Sequence, residues 1–256
     1  MRNAWSLGMR LFRSDLKERY NGTVLGVFWL LMHPLFMLLV YTFIFGEVLQ
    51  LRFGTDSSTT QFALYLFAGL LVFNAFSEVL IRSPFILSER RDLLLNTPLP
   101  AWLLPLLPVA ISLVSEGIAL IVLLGAIAVQ GGLKITMLPC YLCFLFIRII
   151  FSLAGSYIIA VTGVFLRDLR QLMPVLMTVL LFISPVLYPP ELIPEQFRFF
   201  YDWNILGQLI TGYRDALLEG VINWERFAGL LFVGLLCLGL SLWLFRSLMP
   251  RARYVL

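Results

Sequence analysis

The sequence predicts an all-α integral membrane protein with six transmembrane helices, which form a single domain over residues 1–256. Hydrophobic residues make up 60% of the chain, whereas a soluble domain has roughly 45–50%. The mean hydropathy is +0.91. Six apolar runs alternate with short polar or charged segments, and a run of about 20 apolar residues can cross a bilayer as a helix.

The distribution of basic residues predicts how the spans are oriented. Of the 19 Lys and Arg residues, 13 fall on the side that holds both termini, five fall on the other side, and Arg148 lies inside a span. Because cytoplasmic loops carry an excess of Lys and Arg, we expect both termini in the cytoplasm. The net charge of +4 then reflects membrane topology, and we expect no nucleic-acid partner.

The first element is predicted to be an amphipathic helix over residues 4–21. Its large apolar residues recur at helical spacing: Trp5, Met9, Phe12, Leu16 and Tyr20. Most of its charged residues fall on the opposite face, and the segment is too charged to span the membrane. This pattern is typical of a helix that lies in the membrane interface, here on the cytoplasmic side.

Span one is predicted over residues 25–45 and span two over 61–81, joined by a polar loop from Gly46 to Thr60. Pro34 should kink span one, because proline removes a backbone hydrogen bond. His33 precedes it. This histidine is interpreted either as a neutral side chain that caps a carbonyl at the kink or as a functional intramembrane group.

A short cytoplasmic helix is predicted between spans two and three, over residues 83–96. Ser83 and Pro84 resemble a helix start, with a capping serine and proline at the first helical position. The centre of the segment is charged: Glu89, Arg90, Arg91 and Asp92. Taken alone, the pattern also fits an ordinary solvated loop.

Spans three and four are predicted over residues 102–129 and 137–164. Glu116 and Arg148 fall near their middles, where a charge costs about 2.5–3.5 kcal/mol on insertion scales. Opposite charges at matched depth on successive antiparallel spans predict a structural ion pair. A proton relay is the alternative, although no chain of further acids follows the pair.

Spans five and six are predicted over residues 172–188 and 227–248. The segment between them, residues 190–222, contains a cluster of aromatic residues and then a helical apolar pattern from Ile205 to Leu218. Two short re-entrant helices would bury the aromatic rings while satisfying their own backbone groups. We therefore predict helices at the outer side of the membrane here.

Several classes of activity find no support in the sequence. No Gly-x-x-x-x-Gly-Lys-Ser/Thr phosphate loop is present, so ATP hydrolysis is expected on a separate chain. A single histidine and three cysteines in apolar runs predict no metal site. The acids are scattered rather than grouped as in a hydrolase or transferase. The chain is expected to be a transport subunit and not an enzyme.

Three blocks of residues point to a known family. A charged turn, Phe165-Leu166-Arg167-Asp168-Leu169-Arg170, joins two apolar runs, and the second run ends in Ser184-Pro185 and Tyr188-Pro189. With the blocks Asp15–Trp29 and Tyr213–Gly220, this arrangement resembles the membrane subunit of type-two ABC exporters of polysaccharides. Members of that family export O-antigen, capsule or teichoic acid.

The resemblance implies a homodimer that works with two copies of an ATPase subunit, which would carry ATP and Mg²⁺. It implies export of a lipid-linked polysaccharide across the bacterial inner membrane. Residues 83–96 would form the coupling helix. Arg167, Asp168 and Arg170 would lie at the cytoplasmic mouth, where they either meet the anionic lipid pyrophosphate or brace the hairpin.

Aromatic residues are predicted to line the substrate path, because aromatic rings can stack on the apolar faces of sugars. The candidates are Trp29, Phe36, Tyr41, Tyr65, Phe73, Phe182 and Tyr188. At least half of them are also explained by contact with lipid. Three other functions remain open: a type-two exporter of a small hydrophobic drug or lipid, a proton-coupled carrier that depends on Glu116, and a membrane scaffold with no transport path.

Overall fold

The computed structural model of the chain describes residues 2–20, 28–44, 59–97, 99–189 and 193–255. Within these residues every regular element is a helix, and no strand is present. The helices are α1 (Arg2–Tyr20), α2 (Trp29–Tyr41), α3 (Thr59–Arg82), α4 (Ile86–Glu89), α5 (Arg91–Asn96), α6 (Leu106–Val129), α7 (Met137–Phe165), α8 (Leu169–Ile183), α9 (Glu195–Asp202), α10 (Ile205–Arg214) and α11 (Trp224–Val255). The start of predicted span one, most of the loop after it and residues 190–192 of the exit segment lie outside the described residues.

Four of the described helices are long and apolar enough to cross a membrane. They correspond to predicted spans two, three, four and six: Gln61–Arg82, Ala101–Val129, Met137–Phe165 and Trp224–Val255. Predicted spans one and five coincide with shorter apolar helices, Leu31–Ile44 and Leu169–Ile183. The part of the chain that the structure describes is therefore that of an all-helical integral membrane protein with four full-length candidate spans, and predicted spans one and five stay predictions.

The fifth predicted span differs from its prediction because α8 stops early. A helix of 15 residues is about 22 Å long, less than the roughly 30 Å of a hydrocarbon core. The backbone leaves the helix at Ser184, which is extended with φ −82° and ψ 146°. Pro185 follows, and the residue before a proline is disfavoured in the helical region. The apolar residues that follow form a non-helical turn.

The predicted helix over residues 83–96 is instead two short helices, α4 and α5, with a break at Arg90. Ser83 does not cap a helix as predicted. Its buried side-chain Oγ donates to the carbonyl of Val79 in α3 at 2.6 Å and lies 3.0 Å from Ser156 Oγ in α7. The backbones meet closely here, since a Cβ on Gly163 would lie 2.8 Å from Pro84 Cα.

A hydrophobic cluster at one end of the bundle holds α1 and the segment of α4 and α5 in place. Its buried residues include Leu11 of α1, Leu87 of α4, Leu94 of α5, Val161 of α7 and Met249 of α11. The two termini therefore meet at the same end of the molecule. Burial of large aliphatic side chains, at about 1.5–3 kcal/mol each, fixes α1 to the bundle.

Candidate functional site

One ion pair connects α1 to the segment of α4 and α5. Arg90, at the break between the two helices, donates to the carboxylate of Asp15. The Asp15 side chain is only 4% exposed, and this burial raises the pKa of its carboxyl group although Arg90 lies beside it. Glu89, Arg91 and Asp92 are exposed. Of the four predicted coupling charges, one is therefore used internally and three face outward.

The charged turn between α7 and α8 contacts the same segment. Arg170, in the first turn of α8, lies over the ring of Phe85, with its guanidinium carbon 5.2 Å from the ring centroid. Such a cation–π contact contributes about 0.5–1 kcal/mol at an exposed site. Arg167 and Asp168 are exposed. The structure thus separates the three predicted gate residues into one that joins the hairpin to Phe85 and two that face outward.

The intramembrane charges Glu116 and Arg148 form an ion pair between α6 and α7, and both side chains are fully buried. Arg148 also donates to the hydroxyl of Ser112 at 2.9 Å. Glu116 accepts a further hydrogen bond from the hydroxyl of Tyr213 at 2.9 Å. Because a buried charge is costly unless it is paired and hydrogen-bonded, this arrangement can hold α6, α7 and α10 together.

Tyr213, Arg214 and Asp215 connect α10 to most of the bundle, and sequence reasoning missed the role of each. Tyr213 reaches Glu116, and Asp215 forms an ion pair with Arg226 at the start of α11. Arg214 reaches α3 and the turn after α8. The signal that was available is an arginine inside an apolar helical stretch, which should have suggested a buried polar contact.

The guanidinium of Arg214 is buried and is surrounded by backbone carbonyls. It donates to the carbonyl of Tyr65 at 3.1 Å, of Pro185 at 2.7 Å and of Val186 at 2.6 Å. It also lies over the Tyr65 ring, 3.6 Å from the centroid. Non-helical backbone inside a membrane protein needs partners for its polar groups. Arg214 therefore stabilises the turn that replaces the end of predicted span five.

Asn204 holds the same turn from the other side. Its amide donates to Ser184 Oγ at 3.0 Å, while its carbonyl oxygen accepts from the backbone N–H of Gly207 at 3.0 Å. The residue therefore caps the start of α10 and fixes it to the end of α8. Helices α9 and α10 fall within residues 190–222, where two short helices were predicted, and their location at the outer side of the membrane stays a prediction.

A groove of about 690 Å³ lies between α2, α3 and α6. Aromatic and polar residues line it together: Trp29, His33, Tyr41, Asn74, Ser77, Glu78 and Ser115. Polar residues within membrane helices commonly face a cavity or a substrate pathway. Two of the predicted path aromatics, Trp29 and Tyr41, therefore lie beside hydrogen-bonding groups in this groove.

The seven predicted path aromatics do not share one surface within a single chain. Trp29 and Tyr41 line the groove, whereas Tyr65 lies beneath Arg214. Phe73 is only 5% exposed and belongs to the hydrophobic core, because α3 is the central helix of the bundle. The remaining three lie elsewhere. Phe36 and Phe182 are exposed on the outer surfaces of α2 and α8, and the Tyr188 hydroxyl donates to the Phe182 carbonyl at 3.0 Å.

Comparison with known proteins finds relatives along most of this chain. The O-antigen export system permease protein RfbA of Myxococcus xanthus is 31% identical over 211 residues, covering 82% of this chain and 79% of its own. RfbA of Klebsiella pneumoniae is 25% identical over 261 residues and covers 94% of this chain and 92% of its own. The polysialic acid transport protein KpsM of Escherichia coli is 27% identical over 218 residues, with 83% and 81% covered.

The sequence profile of one family, the ABC-2 type transporter, matches residues 7–218. The matched region contains the Asp15–Arg90 pair, the charged turn before α8, the Glu116–Arg148 pair and the tripeptide from Tyr213 to Asp215. With a match over more than half of its length that takes in all of these contacts, the chain belongs to the ABC-2 type transporter family of membrane proteins.

Proposed function

We propose that this chain is the membrane subunit of an ATP-driven exporter that moves a lipid-linked polysaccharide, of the O-antigen type, across the bacterial inner membrane. The observation that carries the proposal is the similarity, over 82–94% of the chain, to permeases named for O-antigen export. A relative named for polysialic acid transport supports a polysaccharide rather than a small apolar substrate.

The groove between α2, α3 and α6 supports the same substrate class. A sugar presents apolar faces, which can pack on the rings of Trp29 and Tyr41, and hydroxyl groups that need hydrogen-bond partners. Asn74, Ser77 and Glu78 line the same groove and offer such partners. A site for a purely apolar ligand would have few polar groups, so the mixed lining favours a hydroxylated ligand.

A second copy of the chain completes the path in this proposal. Helix α8 buries Met173 and Met177 and leaves an apolar face exposed. The exposed residues of this face are Leu172, Val175, Leu176, Val179, Phe182 and Ile183. A symmetric dimer that covers this face would place two copies of the charged turn beside each other and would enclose a path between the two chains.

Two copies of an ATPase subunit, which hold ATP and Mg²⁺, dock at the end of the bundle that carries both termini and lies in the cytoplasm. The exposed charges Glu89, Arg91 and Asp92 form the contact surface of each chain. Movement of this surface passes to α1 through the Arg90–Asp15 pair and to α8 through Arg170 on Phe85. In this way closure of the ATPase pair moves the helix that faces the partner chain.

The coupling proposal predicts that replacing Glu89, Arg91 and Asp92 together with alanine lowers export at least tenfold. Since all three side chains are exposed, the stability of the chain should change by less than about 0.5 kcal/mol. The measurement is export and ATPase activity in vesicles that contain the chain and its ATPase. The matched control replaces Glu195, Arg198 and Asp202 of α9, which have the same side-chain types and are also exposed.

Full export by the triple variant with the ATPase bound would refute coupling through these charges. Transport by the purified chain without any ATPase would refute the exporter itself and would favour a proton-coupled carrier. The α9 control separates a specific loss from a general effect of removing three surface charges.

The charged turn gives a further prediction. Replacing Arg167 and Arg170 together with alanine should abolish export while the dimer and the ATPase complex still assemble. Arg167→Ala alone removes only an outward-facing cation, which we expect to bind the lipid pyrophosphate. Arg170→Ala alone removes the contact with Phe85. Export in cells and the size of the purified complex are the two measurements, and normal export by the double variant would exclude a transport role for both arginines.

A further inference from the structure

A second cavity lies at the end of the bundle that carries both termini. It has a volume of about 900 Å³ and lies between the 3₁₀ turn Ala101–Leu103, α7 and one face of α11. Arg246 and Arg253 line it, together with Trp102, Tyr157 and Phe245. The proposed transport mechanism uses none of these residues.

The sequence of α11 places the two arginines at the membrane surface. The helix is uncharged from Phe227 to Phe245, which is 19 residues or about 28 Å. That length matches the roughly 30 Å of the hydrocarbon core. Arg246 therefore lies at the boundary of the core, and Arg253 lies about 10 Å further along the helix, at the level of the lipid headgroups.

The deeper wall of the cavity is aromatic. Tyr157 and Phe245 pack edge to face with ring centroids 5.1 Å apart. The Tyr157 hydroxyl donates to the carbonyl of Trp102 at 2.9 Å, so its polar atom is already engaged. The Trp102 side chain is partly exposed, as is common for tryptophan at the membrane interface. The wall therefore offers apolar contact rather than hydrogen bonds.

The charges around the cavity are of one sign. Its lining contains two arginines and no acidic residue, and both arginine side chains are exposed. A basic rim above an apolar wall, at headgroup depth between membrane helices, fits a ligand that is anionic at one end and apolar at the other. Basic pockets of this kind recognise anionic lipid headgroups.

We infer that this cavity binds one anionic phospholipid, with its phosphate held by Arg246 and Arg253 and its acyl chains on the aromatic wall. A free phosphate would use the arginines but not the wall. The bound lipid would join α11 to the turn that leads from α5 into α6. The inference does not depend on the polysaccharide substrate.

The test measures lipid binding to the full-length purified chain by native mass spectrometry in detergent. Phosphatidylglycerol is titrated against phosphatidylcholine, which has similar acyl chains but no net charge. We expect phosphatidylglycerol to bind at least tenfold more tightly. Arg246→Gln and Arg253→Gln should each weaken its binding about fivefold, and Arg246→Lys should retain most of it. Arg251→Gln is the matched control, because Arg251 is exposed on the same helix but does not line the cavity.

Equal binding of the two lipids would overturn the inference, as would an equal loss in the Arg251→Gln variant. Displacement of phosphatidylglycerol by glycerol phosphate at the same concentration would show that the arginines bind a free phosphate, and would also overturn it. All variants change exposed side chains, and the retained binding of Arg246→Lys confirms that the cavity is intact.

Discussion

Replacing Arg148 with methionine is expected to destabilise the chain by about 3–5 kcal/mol. Methionine replaces the aliphatic part of the arginine but not its guanidinium, so most of the loss comes from Glu116, whose fully buried carboxylate would have no cation. Removal of one partner of a buried pair costs more than removal of both, because it leaves an uncompensated charge. The measurement is the free energy of unfolding of the purified chain in detergent.

The double variant Glu116→Gln with Arg148→Met is the matched control, and we expect it to recover most of the lost stability. Tyr213→Phe removes one hydrogen bond to Glu116 and should cost about 1–3 kcal/mol. An Arg148→Met chain as stable as the parent would show that the pair does not hold α6 and α7 together.

The same variants separate the two interpretations of this pair. A structural pair predicts that the double variant, once folded, exports its substrate with the ATPase present. A proton relay predicts that the same double variant does not transport, since its residue 116 is an amide that cannot take up a proton at neutral pH. The partners of Glu116 favour the structural role, because its two carboxylate oxygens accept hydrogen bonds from Arg148 and Tyr213, respectively.

The sequence predicts those features of the fold that depend on residues close together in the chain or in neighbouring apolar runs, and it does not predict contacts between distant residues. Apolar runs predicted the positions of α3, α6, α7 and α11, because length and composition are sufficient to define a membrane helix. The depth of Glu116 and Arg148 in neighbouring runs predicted that they lie close together. Tyr213, which completes their network, is 97 residues from Glu116, and no local pattern connects the two.

Other contacts could not be predicted because one partner has no side-chain signal. Arg214 binds the backbone carbonyls of Tyr65, Pro185 and Val186, and any residue can supply a carbonyl. The four charges at Glu89–Asp92 look equivalent in sequence, yet only Arg90 meets Asp15, because the break between α4 and α5 directs it toward α1. The predicted path aromatics also look alike in the sequence. Which of them faces a cavity, the core or the outer surface depends on how the helices pack, and no local pattern shows that.

The contact between α3 and α10 gives the second large prediction: Gly69→Ala should destabilise the chain by about 2 kcal/mol or more. A Cβ at residue 69 would lie 2.5 Å from Arg214 Nη2 and 3.0 Å from its Cζ, so the whole guanidinium must move. Arg214 is 3% exposed, and its three guanidinium nitrogens donate to the backbone carbonyls of Tyr65, Pro185 and Val186. Movement would leave the carbonyls of Pro185 and Val186 without a donor, at about 1–3 kcal/mol for each buried group.

Gly117→Ala is the matched control, since no atom lies within 4 Å of a Cβ at that position in α6. Alanine favours a helix by about 1 kcal/mol over glycine, so this variant should be as stable as the parent or more stable. Arg214→Lys should resemble Gly69→Ala, because a single ammonium cannot bond three carbonyls in the geometry of a guanidinium.

The consequence for transport follows from the position of the turn after α8. In the proposed exporter this turn leads from the helix at the partner interface to the exit-side helices α9 and α10. If Arg214 is displaced from the turn, movement of α8 no longer passes through the turn to α10. Gly69→Ala should therefore reduce export more than it reduces the amount of assembled complex, whereas Gly117→Ala should leave both unchanged. Equal export by the two glycine variants, at equal complex abundance, would show that Arg214 stabilises the fold without contributing to transport.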